Sequence, residues 1–159
     1  MDKSDILAAI KAELEKQLSL LERSASDARE SATSEESRAE NEYDTRGLEA
    51  SYLAGAQAAR AEQLRAELSQ LKQVPARAWK KGEAIGAGAL CELEDDDGKK
   101  ATYFVSTGRG MNLKVGGKAL TVVTPAAPLG RELLGKHAGD DVEVEVRGEA
   151  KGYSVLKVS

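Results

Sequence analysis

The chain has 159 residues, 31% of them charged and 4% aromatic, with a formal net charge of −4. So few aromatics leave little material for a large aromatic pocket, and the negative balance gives no global basic field for gripping nucleic acid. A single cysteine, Cys91, excludes an internal disulfide, and with one histidine, His137, no Cys/His metal site can be assembled. The charge is uneven: residues 1–75 carry −5 and residues 76–159 carry +1. No apolar run approaches the ~18 residues of a membrane span, and the polar start Met1-Asp2-Lys3-Ser4-Asp5 lacks the apolar core of a signal peptide. A cytoplasmic protein that does not engage membranes is the expectation.

The first predicted element is a helix opened by Ser4, with Asp2 and Asp5 suited to the positive end of its dipole. Ile6, Ile10, Leu14, Leu18, Leu21, Ala25, Ala28 and Ala32 recur at steps of three or four and form one apolar stripe. Ser31 to Ser37 is rich in Ser and Thr, which compete for backbone hydrogen bonds and favour a bend. Helical character resumes near Glu40, where Leu48, Tyr52, Ala56, Ala59, Leu64, Leu68 and Leu71 continue at helical spacing until Val74-Pro75 ends the run. Two arms of ~30 residues joined by a short bend predict an antiparallel coiled-coil hairpin over residues 1–75, roughly 45 Å long at 1.5 Å per residue. Such a hairpin satisfies its own stripe, so a monomer is expected.

From Gly82 the pattern changes to short alternating runs punctuated by glycine. Ala89–Glu94 and Ala101–Val105 flank Asp95-Asp96-Asp97-Gly98 as a hairpin, and Leu113–Val115 with Ala119–Val123 reads as a second. Pro128 through Lys136 predicts one compact helix with Leu129, Leu133 and Leu134 inward and Gly135 at its end. Asp141–Val146 alternates strictly and pairs with Tyr153–Val158 across Gly148 to Gly152. The fold class is α+β: the hairpin over residues 1–75, then a small twisted sheet with one helix over 76–159.

The bend holds the densest chemistry. Asp27, Glu30, Glu35, Glu36, Glu40, Glu42 and Asp44 are opposed only by Arg29 and Arg38. These acids suit a solvated bend that also caps the second helix. They also suit a divalent cation with oxygen ligands, such as Mg²⁺, which keeps several waters and takes one or two protein carboxylates. Cys91 in an alternating strand reads as a small core residue, and His137 past a helix end as a charge suited to the dipole. The glycines at 108, 110, 116 and 117 lack the Lys-Ser/Thr of a phosphate loop. Lys80, Lys81, Lys99 and Lys100 read as solvated surface lysines, with a basic patch near the domain junction as the alternative.

The run Pro128-Leu129-Gly130-Arg131-Glu132-Leu133-Leu134-Gly135-Lys136, followed by Gly139-Asp140-Asp141-Val142, resembles the Gre family of bacterial transcript-cleavage factors. It is similar to that family's Ser-Pro-x-x-x-x-Leu-Leu-Gly-Lys run and Gly-Asp-x-Val strand. Glu42-Tyr43, with Tyr52 and Gly55 at similar spacing, resembles the start of the family's second hairpin helix. Two departures stand out: Ala127 replaces the family's serine before proline, and the tip reads Glu36-Ser37-Arg38-Ala39-Glu40-Asn41 where the family has Asp-x-x-Glu-Asn. One extra residue turns a carboxylate at a helical start by ~100°.

The resemblance implies an FKBP-like C-terminal domain that docks on bacterial RNA polymerase, with Pro128, Leu129, Leu133, Leu134 and Lys136 as docking candidates. It implies a hairpin that enters the polymerase channel and meets the nascent RNA 3′ end only there. It implies Glu36 and Glu40, with Glu35 as substitute, as the tip acids that share Mg²⁺ with the polymerase for cleavage of backtracked RNA. The chain is then an accessory factor, with no enzymatic activity alone. Two alternatives stay open: a non-cleaving occupant of the same channel, and a prolyl isomerase-like module lined by Trp79, Tyr103, Phe104 and Tyr153.

Overall fold

A computed structural model of the chain describes residues 1–33, 45–146 and 148–159. Two helices come first, α1 (Lys3–Thr33) and α2 (Thr45–Leu71). Strands β1 (Leu90–Asp95), β2 (Lys100–Val105), β3 (Met111–Val115) and β4 (Lys118–Val123) follow. Helix α3 (Pro128–Leu133) and strands β5 (Asp141–Val146) and β6 (Glu149–Val158) complete the chain. The architecture is α+β, as expected. Contacts divide it into two units: Met1–Lys11 with Ser69–Ser159, and Ala12–Leu68. The expected boundary at 75/76 therefore differs from the contact boundary, because the first turns of α1 belong to the sheet unit.

In the sheet unit the strand order is β3-β4-β2-β1-β6-β5. Every neighbouring pair is antiparallel except β2 and β4, which run parallel from Tyr103↔Thr121 to Val105↔Val123. Alternation divides the side chains between two faces. Cys91, Leu93, Val105, Val123, Val142 and Val155 form one buried cluster with Ile85 and Leu133. Phe104, Leu120 and Val122, also buried, point the other way. The β1–β2 turn is tied by the Asp95 carboxylate, which accepts the backbone N–H groups of Asp97 and Lys99. Strand β6 starts at Glu149, earlier than its apolar run suggests, because Val146 already pairs with Glu149.

Helix α3 is the short element that crosses from β4 to β5. It ends at Leu133, and Leu134 has already left helical geometry (φ −59, ψ 130), so the expected helix to Lys136 is too long. The reason is backbone competition: the 134–136 segment is held by Ile85, whose N–H donates to the Lys136 carbonyl and whose carbonyl accepts from Gly135. Gly135 meets this exchange at φ 78, in the left-handed region open to glycine. At the other end, Gly130 lies directly against the Thr124 carbonyl.

The linker before β1 is also fixed. The Arg77 guanidinium grips the Glu83 carboxylate at two points, the Lys80 N–H donates to Glu83, and the Trp79 Nε1–H donates to the Ala84 carbonyl. Hydrogen bonding to Arg77 first, then to the Lys80 N–H, pulls the Glu83 carboxyl down to about 2.

In the helical unit the antiparallel pairing is marked by Arg65 on Glu22 (2.9 Å) and by Gln57 on Ser24 (3.2 Å). Leu14 and Leu64 are buried there, as the stripe expects, while Ala61 is buried in place of the expected Ala56 and Ala59, which are exposed. Leu48 and Tyr52 are 59% and 72% exposed, so the expected stripe does not hold along that part of α2. The start of α1 differs too: the helix opens at Lys3, and the cap is the Asp2 carboxylate, which accepts the Ser4 N–H (2.8 Å) in place of a Ser4 cap.

Two outcomes test this account. A Cβ on Gly130 would stand 2.0 Å from the Thr124 carbonyl oxygen, so Gly130→Ala is expected to cost about 3 kcal/mol in urea unfolding by overpacking. Because the folded Glu83 pKa lies below the ordinary 4.5, the stability it contributes is present above that value and is lost as pH falls through about 2. A carboxyl NMR titration should find the Glu83 midpoint near 2, returning toward 4.5 in Arg77→Ala.

Candidate functional site

The tip acids Glu35, Glu36 and Glu40 lie outside the described residues. Among the described residues no group of three or more His, Cys, Asp or Glu could hold a metal ion. The site that can be built from side chains is the α3 segment of the sheet unit.

It begins at Ala127, in extended geometry (φ −83, ψ 147) with no side-chain cap on the helix behind it. Pro128 supplies the first helical position, where its missing N–H costs no hydrogen bond. Leu133 is fully buried in the core cluster, and Leu129 packs against that cluster while half-buried. Leu134, expected inward, is 39% exposed. Pro128, Arg131 and Glu132 are exposed and Lys136 is half-buried. The docking candidates therefore separate: Pro128, Leu134 and Lys136 present surface, while Leu133 is core and cannot touch a partner without unfolding the seat.

The segment beyond is held as firmly. The His137 N–H donates to the Asp140 carboxylate (2.8 Å), while Gly139 and Asp140 exchange backbone hydrogen bonds with Val155. The Gly-Asp pair of the motif thus fastens the loop to β6. Sequence reasoning missed this fastening role, for which the Gly139-Asp140 pair before the alternating strand was the signal.

Other candidates resolve individually. Tyr103 and Tyr153 meet edge to face (6.4 Å between centroids), but the adjacent Phe104 is fully buried and alternates to the opposite face of the sheet. The four aromatics of the prolyl isomerase alternative therefore do not converge on one pocket. Burial pushes the Cys91 thiol up to about 12, which keeps it an unreactive thiol at neutral pH. Lys100 pairs with Glu94 across β1 and β2 at 3.4 Å. No described helix is long and apolar enough to cross a membrane.

The family model for the transcription elongation factor GreA/GreB C-terminal domain matches residues 80–159, half of the chain. The chain belongs to the GreA/GreB family. It is 35% identical over 78 residues to transcription elongation factor GreA of Agrobacterium fabrum, covering 48% of this chain and 46% of that one. It is 31% identical over 99 residues to GreA of Rhizobium leguminosarum bv. trifolii, covering 58% and 60%. The chain thus spans about half to three fifths of the length of the curated relatives it matches. Among solved structures it is similar to Thermus aquaticus Gfh1, at 25% identity and a TM-score of 0.41 over 92% of each chain.

The division of the Gre motif into core and surface predicts unequal costs. Leu133→Ala should destabilise by ~3 kcal/mol, the transfer loss of a buried leucine plus its cavity. Leu134→Ala, at a side chain already in contact with water, should stay below ~1 kcal/mol. Urea denaturation of both variants measures the difference.

Proposed function

We propose that this Gre-family chain is an accessory transcription elongation factor that acts on bacterial RNA polymerase. The observation that carries the reading is the family match over 80–159, which coincides with a folded sheet domain presenting the outward half of the α3 motif. In this reading Pro128, Leu134 and Lys136 contact the polymerase, with Leu129 and Leu133 shaping the surface from beneath. The antiparallel pair α1 and α2 carries the tip acids into the channel that leads to the catalytic centre, where the nascent RNA 3′ end lies.

Glu36 and Glu40, with Glu35 as substitute, are the proposed oxygen ligands of a Mg²⁺ held jointly with the polymerase. Bound there, a divalent cation supplies charge stabilisation at the phosphodiester of backtracked RNA. The chain contributes the carboxylates and their placement, and the polymerase performs the hydrolysis. One or two carboxylates bind Mg²⁺ weakly alone, so the ion is shared and not resident.

A second reading rests on one specific observation. The tip acids Glu36 and Glu40 stand one residue further apart than the family pattern, with Glu in place of Asp at the first position. A carboxylate turned by ~100° no longer faces its neighbour. The factor then occupies the channel without stimulating cleavage.

Stalled elongation complexes supplied with the factor and Mg²⁺ separate the two. Shortened transcripts, abolished by Glu40→Ala with polymerase binding retained, are expected for the first. Normal cleavage by Glu40→Ala overturns the tip assignment, and slower synthesis without shortening establishes the second reading.

A further inference from the structure

The opening residue of α1 is buried beside a cleft. Lys3 is only 8% exposed, and it lines an opening of about 260 Å³ together with Met1, Ala76, Ala78, Trp79, Leu90 and Ser159. Its ammonium donates one hydrogen bond, to the Arg77 carbonyl (2.9 Å), and lies 4.4 Å from the Trp79 ring centroid. The Arg77 guanidinium approaches the same ring at 4.1 Å. Two cations therefore converge on one indole, and their counter-charge is unequal. Arg77 has Glu83, whose carboxylate is already engaged by Arg77 and the Lys80 N–H. Among the described residues Lys3 has no carboxylate within ion-pair distance, and Asp2 is engaged in capping α1.

A buried ammonium has three donors, and one acceptor with one aromatic face leaves it short of the pairing that burial demands. Burial, followed by repulsion from Arg77, lowers the Lys3 pKa, and the pull of the Glu83 carboxylate offsets only part of this. The rest of the lining is mixed: Ala76, Ala78, Leu90 and Trp79 are apolar, and Ser159, bonded to Leu90, adds polar atoms. An oxyanion at Lys3 with a small apolar body along Ala76, Ala78 and Leu90 would answer both features.

We propose that the cleft is a binding site for a small carboxylate with a compact apolar body, its carboxylate on Lys3 and its body against Trp79 and Leu90. The site lies in the sheet unit and is independent of the tip acids and of the α3 motif.

Benzoate is a suitable probe for the full chain, with inorganic phosphate as a comparison that has charge but no apolar body. Titration followed by the Trp79 indole N–H resonance is expected to saturate in the millimolar range with benzoate. Phosphate and Lys3→Met should each weaken the response at least about tenfold. Ala78→Leu, which fills the cleft from an exposed position and leaves Lys3 in place, should abolish it with the fold unchanged. A Trp79 response that survives either substitution, or no saturable response to benzoate, overturns the site. Equal responses to phosphate and benzoate would mean an adventitious ion only and overturn it as well.

Discussion

The seating of α3 on the sheet is the constraint on which the rest of the sheet unit depends. The parallel pairing of β2 with β4 leaves the chain at the Thr124 end of β4, yet the next strand, β5, lies at the opposite edge. Residues 124–140 must therefore cross the sheet, and a six-residue helix cannot cover that distance by its own hydrogen bonds. Backbone contacts carry it instead: Gly130 against Thr124, the exchange of Gly135 and Lys136 with Ile85, and the exchange of Gly139 and Asp140 with Val155. Leu133 then falls into the cluster built by Cys91, Leu93, Val105 and Val142. Side-chain burial supplies the driving force. The glycines let the backbone approach closely enough to use it.

This explains why the family motif is a poor list of contact residues when read linearly. A run such as Pro-x-x-x-x-Leu-Leu-Gly-Lys suggests one functional surface, but the crossing demands that its members divide. Leu133 is inward because α3 must be seated, and Leu134 is outward because the helix has stopped one residue earlier. That stop is set by Ile85, some fifty residues upstream, and local helical periodicity has no term for it. The strands were legible for the opposite reason. Alternation along Asp141–Val146 and the Asp-rich turn before Gly98 are local signals, and β1, β2 and β5 fall within a residue or two of where those signals put them. The parallel β2–β4 contact and the strand order had no local signature at all.

The helices show the same split between local and distant causes. Continuous helix from Lys3 to Thr33 followed from composition, and the buried Leu14 and Leu64 from spacing. Spacing also put Leu48 and Tyr52 inward, and they are exposed. An apolar period shows which residues share a face, but not whether a partner helix lies close enough to cover it. The α1 cap was assigned one residue class too narrowly: Ser and Asp both cap well, and the structure uses Asp2. For the tip acids the sequence says what residues are present and how they are spaced. Carboxylate separation depends on the backbone path of the bend, which a Ser- and Glu-rich stretch leaves open.

Lys3 illustrates what neither period nor motif can carry. By composition it is one of 23 basic residues in a chain of net charge −4, and a lysine in the first turn of a helix is ordinarily solvated. Its burial follows from the linker, where Arg77, Trp79 and Glu83 fold into a compact knot against the start of α1. Those residues lie more than seventy positions away in sequence. The knot neutralises Arg77 through Glu83 and orients Trp79 through Ala84. For Lys3 it supplies only the partial pull of Glu83, enclosing the ammonium without a direct ion pair. In a protein where most other charges lie at the surface, such an enclosed ammonium is retained at a cost in desolvation. That cost is set against a single carbonyl and one aromatic face, and an anion entering the adjoining cleft would lower it further.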